Sequence, residues 1–211
     1  MSDEIARTTR NRSNTRQRLL EAAAAVFAEI GVGAASVEMI TERAGFTRGA
    51  FYSNFDSQDD LFFQLVQWVS ENKLGEVSDR VRELEAEGLA GMPVDVVLHR
   101  ILEAVVGDAV GVRVMSEFRS RAMRDERTAA AYRKWQRDLG ERVEGLVADV
   151  ARGTGLELTL PSAELADIVM IIWEGTAVEG VIEGLDQEPL TALILKRTVA
   201  VVSALVAANT A

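Results

Sequence analysis

The chain has 211 residues, 48% of them hydrophobic, with three prolines and a net charge of −10, which suits a folded globule with a sizeable core rather than a disordered chain. It has no cysteine and one histidine, His99, which excludes disulfides and thiolate metal sites and argues against a histidine-rich catalytic metal centre. Residues 1–56 hold seven arginines and seven acids, whereas residues 57–211 hold sixteen basic and twenty-six acidic side chains, so any contact with a polyanion would be confined to one end.

Residues 1–13 read as a tail. Arg7, Arg10, Arg12, Arg16 and Arg18 lie in a stretch with no acid between Ile5 and Leu20, and a basic arm leading into a helix suits phosphate or minor-groove contact. A solvated leader is the simpler reading for Arg7 and Arg10; Arg16 and Arg18 sit in the helix and are the better candidates. Asn14 with Gln17 resembles a capping box that opens the first helix. Leu20, Ala23, Ala24, Phe27 and Ile30 form its buried stripe, and Gly31 ends it.

The stretch Ser36–Phe55, SVEMITERAGFTRGAFYSNF, reads as two short helices joined by a tight turn. Ser36 caps the first, whose inner face is Val37, Ile40 and Ala44. Gly45 supplies the left-handed residue that stops it, and Thr47 caps the second, with Ala50 and Phe51 turned inward. Helix, glycine turn, short helix is the plan of a helix-turn-helix, whose second helix lies in the DNA major groove. Arg48 can bond guanine and Asn54 adenine. Gly49 lets backbone approach a phosphate, while hydroxyls such as those of Tyr52 and Ser53 more often fix register. On pattern alone, a plain αα-corner with a polar outer face explains the stretch equally well.

Residues 15–61 resolve that choice by resemblance. TRQRLLEAAAAVFAEIG, then SVEMITERAGFTRGAFYSNF, then DSQDDLF resemble the DNA-binding domain of the tetracycline-repressor (TetR) family over about a quarter of the chain. The resemblance implies a dimeric, small-molecule-responsive transcriptional regulator, usually a repressor. Carried over residue by residue, it implicates Thr47, Arg48, Gly49, Tyr52 and Asn54 in reading DNA, with Ser36 on a phosphate; Arg16 joins them from the basic arm. Departures are Ala35 for a frequent hydroxyl residue, Thr41 for the usual Ala, Asn54 for a frequent His, and Gln58 for the usual Lys. Losing that lysine should remove one phosphate contact and flatten the salt dependence by roughly 0.9 in slope.

A fourth helix starts at Ser57, with Asp60 at the capping-box position and Leu61, Leu65, Trp68 and Val69 as its apolar side. It is expected to run to about Glu85 and to link two units rigidly. Glu87–Pro93 is the first clear break. The prolines at 93, 161 and 189 each precede apolar periodic runs, where proline is tolerated, which predicts helices at about 93–106, 112–124, 127–152, 162–184 and 189–208. Gly107 and Gly111 mark a kink or loop, and Arg152–Pro161 is another loop. The fold class is all-α: an N-terminal three-helix DNA-binding bundle (1–56) and a larger helical ligand-binding and dimerisation domain (57–211).

The last two helices are apolar on more than one face and must be covered on more than one side. Leu165, Val169, Ile172 and Trp173 on the first, with Leu193, Val201 and Leu205 on the second, can form a twofold four-helix interface. They can equally be central core helices; dimerisation through the last two helices in TetR proteins favours the homodimer. Between the two ends, Trp68, Leu98, His99, Leu102, Met115, Phe118, Met123 and Trp135 suit an adaptable cavity for an apolar effector, although most of them singly read as plain core and a lone His99 as a surface or satisfied group. The arginines from Arg119 to Arg142 could hold an anionic effector, but read more simply as a solvated surface, with Arg137–Glu141 and Asp138–Arg142 pairing at i,i+4.

The expected function is therefore an operator-binding, effector-released repressor, with a helical carrier of hydrophobic molecules as the alternative. No nucleophile–base pair, metal set or phosphate loop is evident, so neither an enzyme nor a cofactor is expected. The N-terminus lacks the apolar core of a signal peptide. Unbroken apolar runs such as Ile168–Trp173 fall far short of the ~20 residues that span a bilayer, so no membrane partner is expected and the location should be cytoplasmic.

Overall fold

The computed structural model describes residues 2–103 and 109–207. They form an all-α fold of helices α1 (Ser2–Ile30), α2 (Val37–Ala44), α3 (Arg48–Tyr52), α4 (Gln58–Glu87), α5 (Val94–Leu102), α6 (Ala109–Ala122), α7 (Glu126–Thr154), α8 (Ser162–Ile182) and α9 (Gln187–Ala207). Local chemistry sets most of these boundaries. Ser57 Oγ accepts from the Asp60 amide at the start of α4, and Asp125 accepts from the Thr128 amide at 2.7 Å at the start of α7. Pro93 and Pro161 stand immediately before α5 and α8, and Pro189 falls in the first turn of α9.

Four boundaries correct the sequence reading. The residues read as a tail are helical from Ser2, so Asn14 lies inside α1 and caps nothing. No glycine or proline interrupts Ser2–Ile30, and a capping-box pattern marks a start only where the preceding backbone leaves the helix. Gly111 lies inside α6 rather than in a loop, and α5 ends at Leu102, short of the expected 106; Gly107 and the expected end near 208 lie outside the described residues. α7 runs to Thr154, so the following loop begins at Gly155 rather than Arg152. Ile30, assigned to the buried stripe of α1, is 42% exposed at the helix end.

The main core joins α1–α4 to α6. Leu20, Ala23, Phe27, Ile40, Phe51, Phe55, Leu61, Phe62, Leu65 and Phe118 are buried in it. Phe62 sits at its centre, edge-on to Phe27 at 5.8 Å and to Phe118 at 6.0 Å, a favoured arrangement for aromatic pairs. The apolar packing thus continues from the first three helices into α4 and α6. A second cluster fixes the far end of α4, where Val81 and Leu84 meet Leu89, Val97 and Ile101. A third lies between α6, α8 and α9 around Val112, Ala177, Leu190 and Ile194.

α8 and α9 pack along each other. Gly180 lets them approach so closely that a Cβ there would meet Leu190 Cδ1 at 2.5 Å. Only 28% of the stretch Gln187–Val206 is buried, and its mean hydropathy is 1.6. Contrary to the expectation from short apolar runs, this helix is long and apolar enough, by length and composition, to cross a membrane. It nevertheless carries Glu188, Lys196 and Arg197, and Arg197 Nη2 reaches Glu179 of α8 at 3.1 Å.

Candidate nucleic-acid interface

α2, the turn and α3 form as their caps dictate. Ser36 Oγ accepts from the Met39 amide at 3.3 Å and Thr47 Oγ1 from the Ala50 amide at 3.2 Å. Gly45 stands at φ 72°, and the Phe46 amide donates back to Thr41 O at 2.8 Å. A side chain with a Cβ is strained at that φ, hence glycine. Inside the corner Ile40, Ala44 and Phe51 are buried, whereas Thr47, Arg48, Gly49 and Tyr52 are exposed. Ser36 and Thr47 use an oxygen lone pair for capping, which leaves each hydroxyl proton free to donate.

The outer face has one cation, and it is engaged. Arg48 Nη1 lies 2.5 Å from Glu38 Oε1 of α2, and its guanidinium stands 6.0 Å from the centre of the Tyr52 ring. Hydrogen bonding to Tyr52 first, and the Glu38 charge after it, raise the Arg48 pKa further. Gly49 meets nothing closer than Thr47 Oγ1, 3.7 Å from an added Cβ, and its φ is not positive. Nothing inside the chain therefore requires glycine there, and its open surface leaves room for a close backbone approach from outside.

Asn54, expected on this face, and Gln58, which stands where the resemblance expects a lysine, have other partners. Asn54 Nδ2 donates to Ala50 O at 2.8 Å and to Ser53 Oγ at 3.2 Å, and its Oδ1 is buried without a partner. The amide is turned back on its own helix rather than outward. A short polar side chain just past a helix end satisfies free carbonyls more readily than it extends. Gln58, expected only as a missing phosphate contact, donates to Val32 O at 3.1 Å and Ala35 O at 3.0 Å. It ties the loop before α2 to the first turn of α4.

α1 braces the corner through its arginines. Arg18, expected to be available to phosphate, donates to Ala44 O at 2.9 Å and lies 4.8 Å from the Phe46 ring centre, so it bolts α1 to the end of α2. Arg16 is exposed. It reaches Gln64 Oε1 with Nη2 at 2.6 Å and stands 5.9 Å from the Phe55 ring centre. Gln64 in turn donates to Asp60 at 2.9 Å, and Asp60 accepts from the Asp56 amide at 3.0 Å. The sequence reading missed Glu38, Arg18 as a brace, and Gln64. Their partners lie on other elements, and only knowing that two capped helix starts sit side by side would have pointed to Glu38.

Of the effector candidates, Trp68, Met115, Phe118 and Trp135 meet in or against the main core beside Tyr132. Trp135 Nε1 donates to Ser70 Oγ at 2.7 Å, and Phe118 packs edge-on to Tyr132 at 5.1 Å and to Trp135 at 5.9 Å. Leu98 and Leu102 are half-buried on α5. His99 and Met123 are corrections. His99 is exposed and pairs with Glu103 at 3.0 Å, and Met123 is 75% exposed at the end of α6. His99 falls on the outer side of α5, and Met123 stands in the turn just past α6. Asp138 pairs with Lys134 at 2.8 Å, not mainly with Arg142 as the spacing suggested. A polar groove lined by Arg133, Gln136, Arg137, Gly140, Glu141 and Asp167 lies apart from the aromatic group.

Of the expected interface residues, Leu165 is buried within its own chain, 4% exposed, and so belongs to the internal core. Val169, Ile172, Trp173, Leu193, Val201 and Leu205 are half-buried. The most exposed apolar side chains of α8 are Ile171 at 70% and Ile182 at 79%, which the sequence reading passed over.

Residues 19–65 match the model of the family described as bacterial regulatory proteins, tetR family. The chain is 35% identical over 104 residues to the HTH-type transcriptional regulator AcrR of Shigella flexneri, covering 47% of this chain and 46% of that protein. It is 33% identical over 89 residues to the HTH-type transcriptional repressor KstR2 of Rhodococcus jostii (strain RHA1), covering 42% of each. The match thus spans less than half the length of these curated relatives. Along the whole fold, a solved transcriptional regulator from Rhodococcus sp. Rha1 superposes with a TM-score of 0.67 at 19% identity, covering 90% of this chain and 96% of that one.

Proposed function

We propose that the chain is a regulator of the tetR family, as the match of residues 19–65 to that family's model supports, and that it is a cytoplasmic homodimeric repressor that grips a palindromic operator and leaves it when a small apolar effector binds. Residues 1–56 serve DNA, and residues 57–211 serve the effector and the dimer. The observation that carries the reading is the capped α2–α3 corner, with Arg48, Gly49 and Tyr52 exposed on its outer face. Arg48 reads a base edge. Ser36, Thr47, the Gly49 backbone and Arg16 hold phosphates and fix register, and Asn54 contributes only if its side chain turns outward on DNA.

The uncovered apolar surface of α8 and α9 supports a second copy as the partner, because helices apolar on several faces require cover on each. Lys196 and the Arg197–Glu179 pair favour that cover over a bilayer, where such charges are costly. A twofold dimer must place its recognition helices about one DNA turn apart, ~34–36 Å. An effector lodged among Trp68, Met115, Phe118 and Trp135 would act by favouring a state with the wrong spacing. Moving that balance from 1:99 to 99:1 requires ~5.5 kcal/mol of preferential binding.

The test is selection of bound fragments from genomic DNA by the purified protein, followed by a salt titration of the best one. A palindrome bound far more tightly than random DNA is expected, along with a dimer by sedimentation. Arg48→Ala and Tyr52→Ala should each weaken operator binding without disturbing the dimer. Weak, sequence-independent binding alone would defeat the reading.

A further inference from the structure

The motif's two arginines are both held by carboxylates, but in different ways. Arg43 binds Glu29 through both guanidinium ends, at 2.6 and 2.8 Å, and so fastens α2 to α1. Arg48 is held by Glu38 through Nη1 alone. That second pair joins the first turn of α2 to the first turn of α3, and both side chains are more than half exposed, at 60% and 54%. Glu38 is favourable where it stands, since a carboxylate in a first helical turn complements the free N–H groups. It is unfavourable to any phosphate that approaches the same corner. Stretch 36–56 holds three carboxylates and two arginines, so this corner does not present the excess positive charge that usually drives indiscriminate DNA binding.

We infer that Glu38 is a specificity-determining residue of the proposed DNA interface, which withholds Arg48 from arbitrary phosphates while leaving it able to read a guanine. The inference rests on the DNA-binding reading above. A guanidinium presents five donors in a rigid fork. Glu38 engages Nη1, and the Tyr52 hydroxyl accepts a hydrogen bond from the same guanidinium; once the Tyr52 bond is released on contact, the remaining donors can meet the O6 and N7 acceptors of guanine, the bidentate contact Arg makes in the major groove. The Tyr52 ring beside the guanidinium limits its swing. In a sequence-specific complex the Glu38–Arg48 pair therefore survives. In a non-specific complex Arg48 must turn to the sugar-phosphate backbone, which breaks the pair and leaves Glu38 facing phosphate. Glu38 thus weakens non-specific binding more than specific binding, a discrimination made by repulsion.

The test compares wild type, Glu38→Gln, Arg48→Ala and the double variant by fluorescence anisotropy. The probes are the fragment recovered by genomic selection and a base-shuffled duplex of the same length, each over a range of salt. Glu38→Gln keeps the shape and removes the charge. It should tighten binding to the shuffled duplex by about tenfold, with a salt slope steeper by roughly 0.9, the signature of one added phosphate contact. Binding to the selected fragment should change less than threefold, and most of the gain should disappear in the Arg48→Ala background. Equal gains on both duplexes, or no gain on the shuffled one, would overturn the role of Glu38 and leave DNA recognition standing. If wild type itself does not distinguish the two duplexes, the DNA-binding reading fails, and this inference with it.

Discussion

The first helices and the last two bury their apolar residues by opposite means. In the N-terminal corner each helix carries one apolar side, and a neighbour in the same chain covers it: Phe51, Phe55, Leu61, Phe62 and Leu65 are all 2% exposed or less. α8 and α9 are apolar over more of their circumference, and one chain cannot cover them. Ile171 and Ile182 remain 70% and 79% exposed, and 28% of α9's long apolar stretch is buried. An amphipathic stripe defines its own inside, whereas a helix apolar on several sides defines a surface that needs a second body. The first region is complete as a single chain; the second leaves burial unfinished.

Phe62→Ala should cost about 3–5 kcal/mol by removing the ring that joins α1, α4 and α6, seen as a lower denaturation midpoint. Retained stability would show that this core is looser than its burial implies. On the unfinished side, Ile171→Glu should leave the fold of one chain intact and weaken self-association by about 2 kcal/mol or more, read by sedimentation equilibrium. An unchanged dimer would place the partner elsewhere. Gln58→Ala leaves the Val32 and Ala35 carbonyls without their donor and should cost about 1–2 kcal/mol, with faster amide exchange confined to the loop before α2. Smallest in stability is Gly49→Ala, which should be neutral or stabilising by up to about 1 kcal/mol in the free protein. It should still weaken operator binding, because the added methyl occupies the space left for close approach.

Legibility in the sequence followed the same division between local and distant causes. Ser36, Gly45, Thr47 and Ser57 could be read because each bonds backbone groups within five residues of itself, the three hydroxyls accepting from amides and Gly45 donating to a carbonyl, and all four stand where expected. The interior of the corner followed from helical spacing. What could not be read depended on partners far along the chain. Gln58 meets carbonyls 23 and 26 residues away, Arg18 one 26 residues away, and Trp135 a hydroxyl 65 residues away. Residue chemistry alone points to His99 and Met123 and says nothing about whether a side chain faces in. The start of α1 was misplaced because a capping pattern was credited where no residue breaks the helix upstream.

α4 is a 30-residue helix gripped at both ends. Its first turns lie in the main core, Ser70 near its middle is pinned by Trp135, and Val81 and Leu84 sit in the distal cluster. From Leu84 to Gln58 the rod measures about 40 Å at 1.5 Å per residue. Pivoted at its distal grip, a swing of about 5° carries the near end through roughly 3–4 Å, which exceeds the reach of a hydrogen bond. Gln58 holds the loop before α2 at that near end. Were the near end to yield while the distal grip held, a shift of about an ångström close to the fulcrum would be multiplied several-fold by the time it reached Gln58 and the loop it ties.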